Sequence, residues 1–282
     1  MTFLGLFYSE NHTKFLIIVT VLKIIMIKNL RHIAFPEEHG SWGFVLEPLI
    51  LSLIVAYSAD GLFLALASFL FFLAHQPIKI IVNPKKSRKM KIKAIVVLTV
   101  YVAAALYFLT SIFVNNPVNV FFPFILALLF MLVYLFFEIL GLSRKLATEL
   151  IASSSIDFIA VSVLLLGGMN SLRAWAILAL LLNRAIPTVL FVHERINFVH
   201  KRNLNRIIPI SSALIGFFVA LVFAYLNWIP WLGLLGILIL VARMIYGLTP
   251  KMLNQSLKTA GIWEFIYGIL FVVITAFSYY LW

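Results

Sequence analysis

The sequence predicts an all-α, polytopic membrane bundle of about nine transmembrane helices, and three observations carry that prediction. The 282 residues are 63% hydrophobic and only 11% charged, whereas soluble domains carry about 25% charged residues. The apolar residues gather in stretches of the length needed to cross a hydrocarbon core of about 30 Å, with little chain left over. The links between the stretches alternate strictly between neutral and basic, which is how a chain that weaves through a bilayer distributes its cations.

Residues 1–35 form the first element, an N-terminal interfacial segment or extension. The apolar run Phe15 to Leu22 is too short to span and is followed by Lys23 and Lys28, so the segment reads as an interfacial helix with basic anchors. No small-residue signal cleavage site is evident, and Met26 is an alternative start. The single transmembrane domain is expected over 36–282. Its spans are 41–58, 61–82, 92–114, 118–140, 147–167, 171–192, 208–227, 230–249 and 262–282, read from apolar runs and turn residues.

Asp60-Gly61, Asn115-Asn116-Pro117, Gly167 to Asn170 and Asn227 to Pro230 make four short links of weak charge. The intervening links hold Lys85 to Lys91, Arg144-Lys145, Arg195 to Arg206, and Lys251 with Lys258. By the positive-inside rule the N-terminus is cytoplasmic and the C-terminus outside. The expected location is the cell membrane, multi-pass. A net charge of +12 is explained by this topology, and nucleic acid is excluded as a partner. With no cysteine in the chain, thiolate metal sites and cysteine nucleophiles are excluded as well.

Charge inside a span is costly, about 2.5–3.5 kcal/mol per residue at the helix centre, and marks a site or a pair. At 1.5 Å per residue, Glu47, His75 with Gln76, Arg184 and Arg243 all lie roughly 9–12 Å from the cytoplasmic side. Nearer the cytoplasm come Glu37, Glu38, His39, Asn83, Glu138, Glu149, His193, Glu194 and Glu264, while the outer half is almost purely apolar. Asp157 lies deeper, about 15 Å in, on one face with Glu149 and Ser153. The pattern predicts a polar cavity open to the cytoplasm. Each residue also has a structural reading. Glu47 with Arg184 or Arg243 is equally an ion pair fixing helix register, His75 a hydrogen-bonded core imidazole, and Glu138, Glu149 and Glu264 acids at helix ends. A weak repeat, Pro77 to Asn83 against Pro187 to His193, suggests two proline-broken helices facing across the cavity mouth.

The run Pro36-Glu37-Glu38-His39-Gly40-Ser41-Trp42-Gly43, with Glu47-Pro48 behind it, resembles the YwiC-like family of bacterial membrane proteins. The resemblance continues through His75-Gln76-Pro77 and Arg184 to Arg195, and that family brings no settled activity with it. More distantly, nine helices with the N-terminus inside and polar motifs ending helices two and six resemble the UbiA superfamily of intramembrane prenyltransferases. That resemblance implies a prenyl or other lipid substrate and a divalent metal, Mg²⁺, held by Asp-rich motifs. This chain has no Asp at those places, and only Asn83 and Glu194 stand there as oxygen ligands, so no cofactor is assigned.

Two functions are carried forward. In a UbiA-like transferase, Glu47, His39 and Glu38 are the acid/base candidates, His39 for its near-neutral titration. Arg184 and Arg243 hold an anionic head, with His75, Gln76, Asn83, His193, Glu194 and Asp157 lining the site. In a membrane transporter or permease the same charges bind a small polar or anionic solute. A haem-binding subunit lacks paired buried histidines, and a passive structural protein needs none of these groups as ligands.

Overall fold

The computed structural model describes residues 30–36, 41–142 and 145–282. Nine helices of fifteen residues or more run through the described chain, in the order and at the places the apolar stretches predict. They are α1 (Ser41–Val55), α2 (Ala59–Val82), α3 (Arg88–Asn115), α4 (Phe122–Ile139), α5 (Leu146–Leu166), α6 (Ser171–Val199), α7 (Ile207–Tyr225), α8 (Gly233–Gly247) and α9 (Leu257–Tyr280). Single helical turns occupy Arg31–Ala34, Val118–Phe121 and Pro250–Leu253. No strand occurs among the described residues.

Seven of the nine are long and apolar enough to cross a membrane. The other two, α1 and α8, have fifteen residues each, about 22 Å at 1.5 Å per residue, and fall short of a hydrocarbon core of about 30 Å. At the opposite extreme, α6 has 29 residues and continues seven residues past its expected end at Val192. Nothing between Val192 and Val199 breaks a helix. His193, Glu194 and Arg195 therefore ride on the last turns of α6 and are not in a loop. Pro77 and Pro187 lie inside continuous helices, so the expected proline breaks are absent from the backbone. Neighbouring groups in a membrane helix re-satisfy the carbonyl a proline leaves.

The described residues divide into two compact units. The first holds 30–36 and 66–115, which includes most of α2 and all of α3. Here the Arg31–Ala34 turn is tied twice: the Tyr101 hydroxyl donates to the Ala34 carbonyl at 3.2 Å, and the Gln76 amide donates to the His32 carbonyl at 3.2 Å.

The second unit holds 41–65 and 116–282. In it α1, α5, α6, α8 and α9 close a ring: α1 packs on α5 and α9, α5 on α6, and α6 on both α8 and α9. Helix α4 lies against α5, and α7 against α6 and α8. Most of the surface of α4 and α7 is exposed, and it is covered in Leu, Ile, Val and Phe, as a lipid-facing helix requires.

Within this unit the neutral links gather at one end. Asp60 accepts a hydrogen bond from the Asn116 amide at 2.8 Å, Gly167 abuts the Ala56 backbone, and Arg173 lies 4.1 Å over the Trp282 ring. All of these segments belong to the outer side by the charge pattern. Behind them Leu51, Val161, Leu164, Ile177, Leu181, Ile237, Leu240 and Phe271 form one buried apolar cluster, which seals that half of the ring. Its close packing leaves the polar groups to the other half.

Candidate functional site

In the other half of the ring, the one the charge pattern assigns to the cytoplasmic side, four of its five helices bring charge together. Helix α1 supplies Glu47, α6 Arg184, α8 Arg243 and α9 Glu264. Arg184 meets Glu47 at two points, an Nη2 hydrogen bond to Oε1 at 3.2 Å and an ion-pair contact of Nε with Oε2 at 3.1 Å. A hydrogen bond between two charged groups is roughly twice as strong as one between neutral groups. The same guanidinium donates to the Glu264 carbonyl at 3.1 Å, lies 3.9 Å from the Glu264 carboxylate and contacts the Thr188 hydroxyl. Thr188 in turn donates to the Arg184 carbonyl at 2.7 Å. Arg243 pairs with the Glu264 carboxylate, and its guanidinium lies 4.5 Å over the Phe191 ring.

The result is an alternating chain, Glu47, Arg184, Glu264, Arg243, in which each charge has an opposite neighbour. Glu47, Arg184 and Arg243 are 8%, 6% and 5% exposed. Leaving one of them unpaired would cost far more than the pairing gains, so the four stand or fall together. Two glycines make the arrangement possible. A Cβ on Gly268 would land on the Glu47 carboxylate, and one on Gly43 would lie 2.9 Å from its Oε1.

Helix α5 adds Asp157, which is 1% exposed. It lies within electrostatic reach of Glu47 and Arg184, and its Oδ2 has no hydrogen-bond partner. Ser153, Ser154 and Ser155 nearby on α5 are also buried, and Ser153 and Ser155 spend their hydroxyls on carbonyls of their own helix.

Beside the charge chain lies a cavity of about 210 Å³ between α6, α8, α9 and the Pro250–Leu253 turn. Arg195, Arg243, Phe191, Tyr246, Trp263 and Glu264 are prominent in its wall. Gly247 lets Phe191 approach α8, since a Cβ there would come within 2.8 Å of the ring. Farther along α8 and α9, toward the apolar end, a second hollow is lined only by Leu232, Leu235, Leu238, Ile239, Val273, Ile274 and Phe277.

The structure thus brings together Glu47, Arg184, Arg243 and Asp157 from the set picked out in the sequence. Glu194 is committed elsewhere, because its carboxylate accepts the Asn205 backbone N–H at 2.7 Å and fixes the turn after α6. His193 stands next to it on α6. Gln76 and His75 lie on α2 in the first unit. Asn83 shapes the turn that follows, its side-chain oxygen accepting the Lys85 N–H at 2.9 Å. Glu38 and His39 lie outside the described residues.

Two members of the site do not stand out in the sequence. The apolar run that marks the ninth span starts at 262 and so places Glu264 at a helix end. With α9 beginning at Leu257, Glu264 is seven residues in, about 10 Å, the same layer as Glu47. Arg195 reads as part of a basic loop, but it is 2% exposed on the extended end of α6.

Fold and site together define an integral membrane protein of the polytopic helical class, with a buried charge network confined to one half of the bundle. Residues 35–164 match the family described as YwiC-like protein, so the resemblance seen at Pro36 to Pro48 holds over that stretch. The match takes in Glu47 and Asp157 and stops before Arg184, Arg195, Arg243 and Glu264. Comparison with curated proteins and with solved structures gives no match.

Proposed function

We propose that this membrane protein binds a lipid with an anionic head, the head seated in the cavity between α6, α8 and α9 and the hydrocarbon chain lying along α8 and α9. The observation that carries this reading is the continuity of two unlike hollows on one helix pair. Leu232, which caps the start of α8, and Leu235, Ile239 and Arg243 on that helix recur at spacings of three and four residues, which is one stripe. On α9, Trp263, Tyr267, Ile274 and Phe277 follow at spacings of four, seven and three residues, which keeps them on one face. Each stripe begins polar or aromatic at the cytoplasmic end and becomes wholly apolar toward the other. From Arg243 to Leu232 is eleven residues, about 16 Å, a length that suits the chain of an amphiphile.

The short helices support the same place. Both α1 and α8 are too short to span, and unusually short or interrupted membrane segments commonly mark a binding site. A UbiA-like transferase is the enzymatic form of this reading, and helix order and charge-derived orientation support it. The divalent metal of that superfamily does not fit the residues described. No three His, Asp or Glu side chains among them group as a metal site needs, and Asn83 and Glu194 are engaged with the backbone of their own turns. No step through a metal is therefore derived.

A permease is the second reading, and Asp157 is the observation that favours it. It is a buried acid with an unpartnered oxygen, at the depth where alternating-access proteins keep their sites.

The test is photolabelling in liposomes with an alkyl phosphate carrying a diazirine at the end of a twelve-carbon chain. Labels concentrated on Leu235, Leu238, Val273 and Phe277 support the lipid reading. Labels spread evenly over the exposed faces of α3, α4 and α7 would refute it. Turnover of radiolabelled prenyl diphosphate in detergent then identifies a transferase, and solute flux into liposomes, lost in Asp157→Asn, identifies a permease.

A further inference from the structure

Arg184 is the arginine that the sequence makes the natural anion binder, yet its donors are committed. Nη2 bonds Glu47 and the Glu264 carbonyl, Nε lies against the Glu47 carboxylate, and Thr188 sits against Nη1. Arg243 is half committed, through Glu264. Arg195 differs from both in that neither Glu47 nor Glu264 pairs with it. It is 2% exposed, its one hydrogen bond runs from Nη2 to the Gln255 carbonyl at 3.0 Å, and its Nε is buried without a partner. Among the described residues no carboxylate pairs with it. Its guanidinium lies 5.7 Å from the centre of the Phe191 ring, the same ring that Arg243 covers at 4.5 Å. Both guanidiniums line the same cavity.

Two like charges that share a ring repel each other, and Glu264, the carboxylate in the cavity wall, neutralises one of them. One positive charge is left over in a place that water reaches poorly. A buried cation without a counter-charge is a costly arrangement for a fold to keep. An anion bridging Arg195 and Arg243 removes both the excess and the repulsion.

We infer that Arg195, together with Arg243, forms a site for a phosphoryl group. Guanidinium is the side chain suited to phosphate oxygens, because its planar fork meets two of them at once and it gives up hydration readily. A phosphoryl group offers three oxygens to two forks, one more than a carboxylate. Trp263, Tyr246 and Phe191 wall the space around it and raise the strength of each ionic contact by excluding water. Arg195 is therefore the residue that reads the head. This rests on the cavity being the ligand site proposed above, and it names the head's chemistry. The phosphoryl group comes either from free phosphate or from a lipid head.

The test uses the purified full chain in nanodiscs and follows ³¹P line broadening of inorganic phosphate in one arm and of dodecyl phosphate in the other. Broadening by inorganic phosphate that weakens about tenfold or more in Arg195→Gln, the loss expected for a charge-assisted contact, supports a phosphoryl site open to the free anion. Broadening of dodecyl phosphate alone, with the same dependence on Arg195, supports a site that takes the group only on a lipid. Ala260→Trp, which fills the cavity from α9 without removing a charge, must abolish binding in either arm, and it serves if Arg195→Gln does not fold. No binding in either arm, or binding that ignores both substitutions, overturns the inference. Diazirine labels on the α8 and α9 groove in that case would leave the lipid reading standing with a head of other chemistry. Phosphate binding without groove labels would do the reverse.

Discussion

Gly268→Ala is the substitution that most directly probes how the buried charge network is held. A helical Gly replaced by Ala ordinarily gains about 1 kcal/mol from reduced backbone freedom. Gly261, one and a half turns after the Ser256 cap on the same helix, shows that case: nothing lies within 4 Å of a Cβ placed there. Gly261→Ala is therefore expected to raise stability by about 0.5–1 kcal/mol. At Gly268 the new methyl meets the Glu47 carboxylate. Glu47 has a flexible side chain and escapes the clash by rotating, but rotation takes both oxygens off Arg184. The cost is then that of breaking a buried pair, about 3–5 kcal/mol, less the helix gain of about 1 kcal/mol. The net expectation is a loss of about 2–4 kcal/mol.

The assay is thermal unfolding in detergent, followed by tryptophan emission. At roughly 2–4 °C per kcal/mol for a chain of this size, Gly268→Ala should melt about 5–15 °C below the parent and Gly261→Ala at or above it. A double-mutant cycle isolates the cause. In a Glu47→Ala background the space is already empty, so Gly268→Ala should show only the helix gain of about 1 kcal/mol, and a coupling of about 3–5 kcal/mol should appear. Equal melting of Gly268→Ala and the parent, or the same penalty with and without Glu47, would refute the close approach of α1 and α9 at this point.

Three further expectations concern the ion pair, the turn after α6 and the topology. Arg184→Met and Glu47→Gln should each lower stability by about 3–5 kcal/mol, with the double variant recovering most of it; unfolding of the three variants checks this, and additive losses would contradict a paired role. Glu194→Gln removes a charge-assisted bond to Asn205 and should cost about 1–2 kcal/mol, confined to the turn after α6 and seen as faster amide exchange over 201–206. Because the chain has no cysteine, single substitutions report topology directly. An impermeant maleimide should label Gly168→Cys in intact cells and Ser87→Cys only after permeabilisation, and the opposite pattern would invert the orientation read from the charges.

The fold is legible in the sequence because lipid leaves few choices. Backbone groups in a bilayer must be satisfied within each segment, so apolar length alone marks the helices, and the helix order follows from it. Boundaries are less legible at the cytoplasmic ends, where α6 and α9 project beyond the apolar run. A polar turn of helix and a polar loop have similar composition, and only the absence of Gly and Pro between Val192 and Val199 hints at the difference. That ambiguity hides Arg195 and Glu264. The depth estimate finds Glu47, Arg184 and Arg243 because charge is expensive wherever it is buried. It does not say which partner each takes, since pairing depends on helix rotation and on Gly43 and Gly268, whose spacing carries no distinctive pattern.

The lengths of the helices and the positions of the charges are one fact seen twice. Because α1 and α8 are about 22 Å long, they cannot carry apolar packing across the full core, and the outer half of the ring is where their Leu and Ile are spent. Their cytoplasmic ends therefore stop amid polar groups, and Glu47 and Arg243 sit within two turns of those ends. Arg184 and Glu264, on the longer α6 and α9, reach the same layer from farther along their helices and close the network. An ion-pair chain of this kind holds four helices in register without adding a net charge. What it leaves unneutralised is Arg195, on the part of α6 that outruns the short helices, beside the cavity that opens next to the network. The excess of charge and the available space thus coincide beside the last turns of α6, away from the Glu47–Arg184 pair.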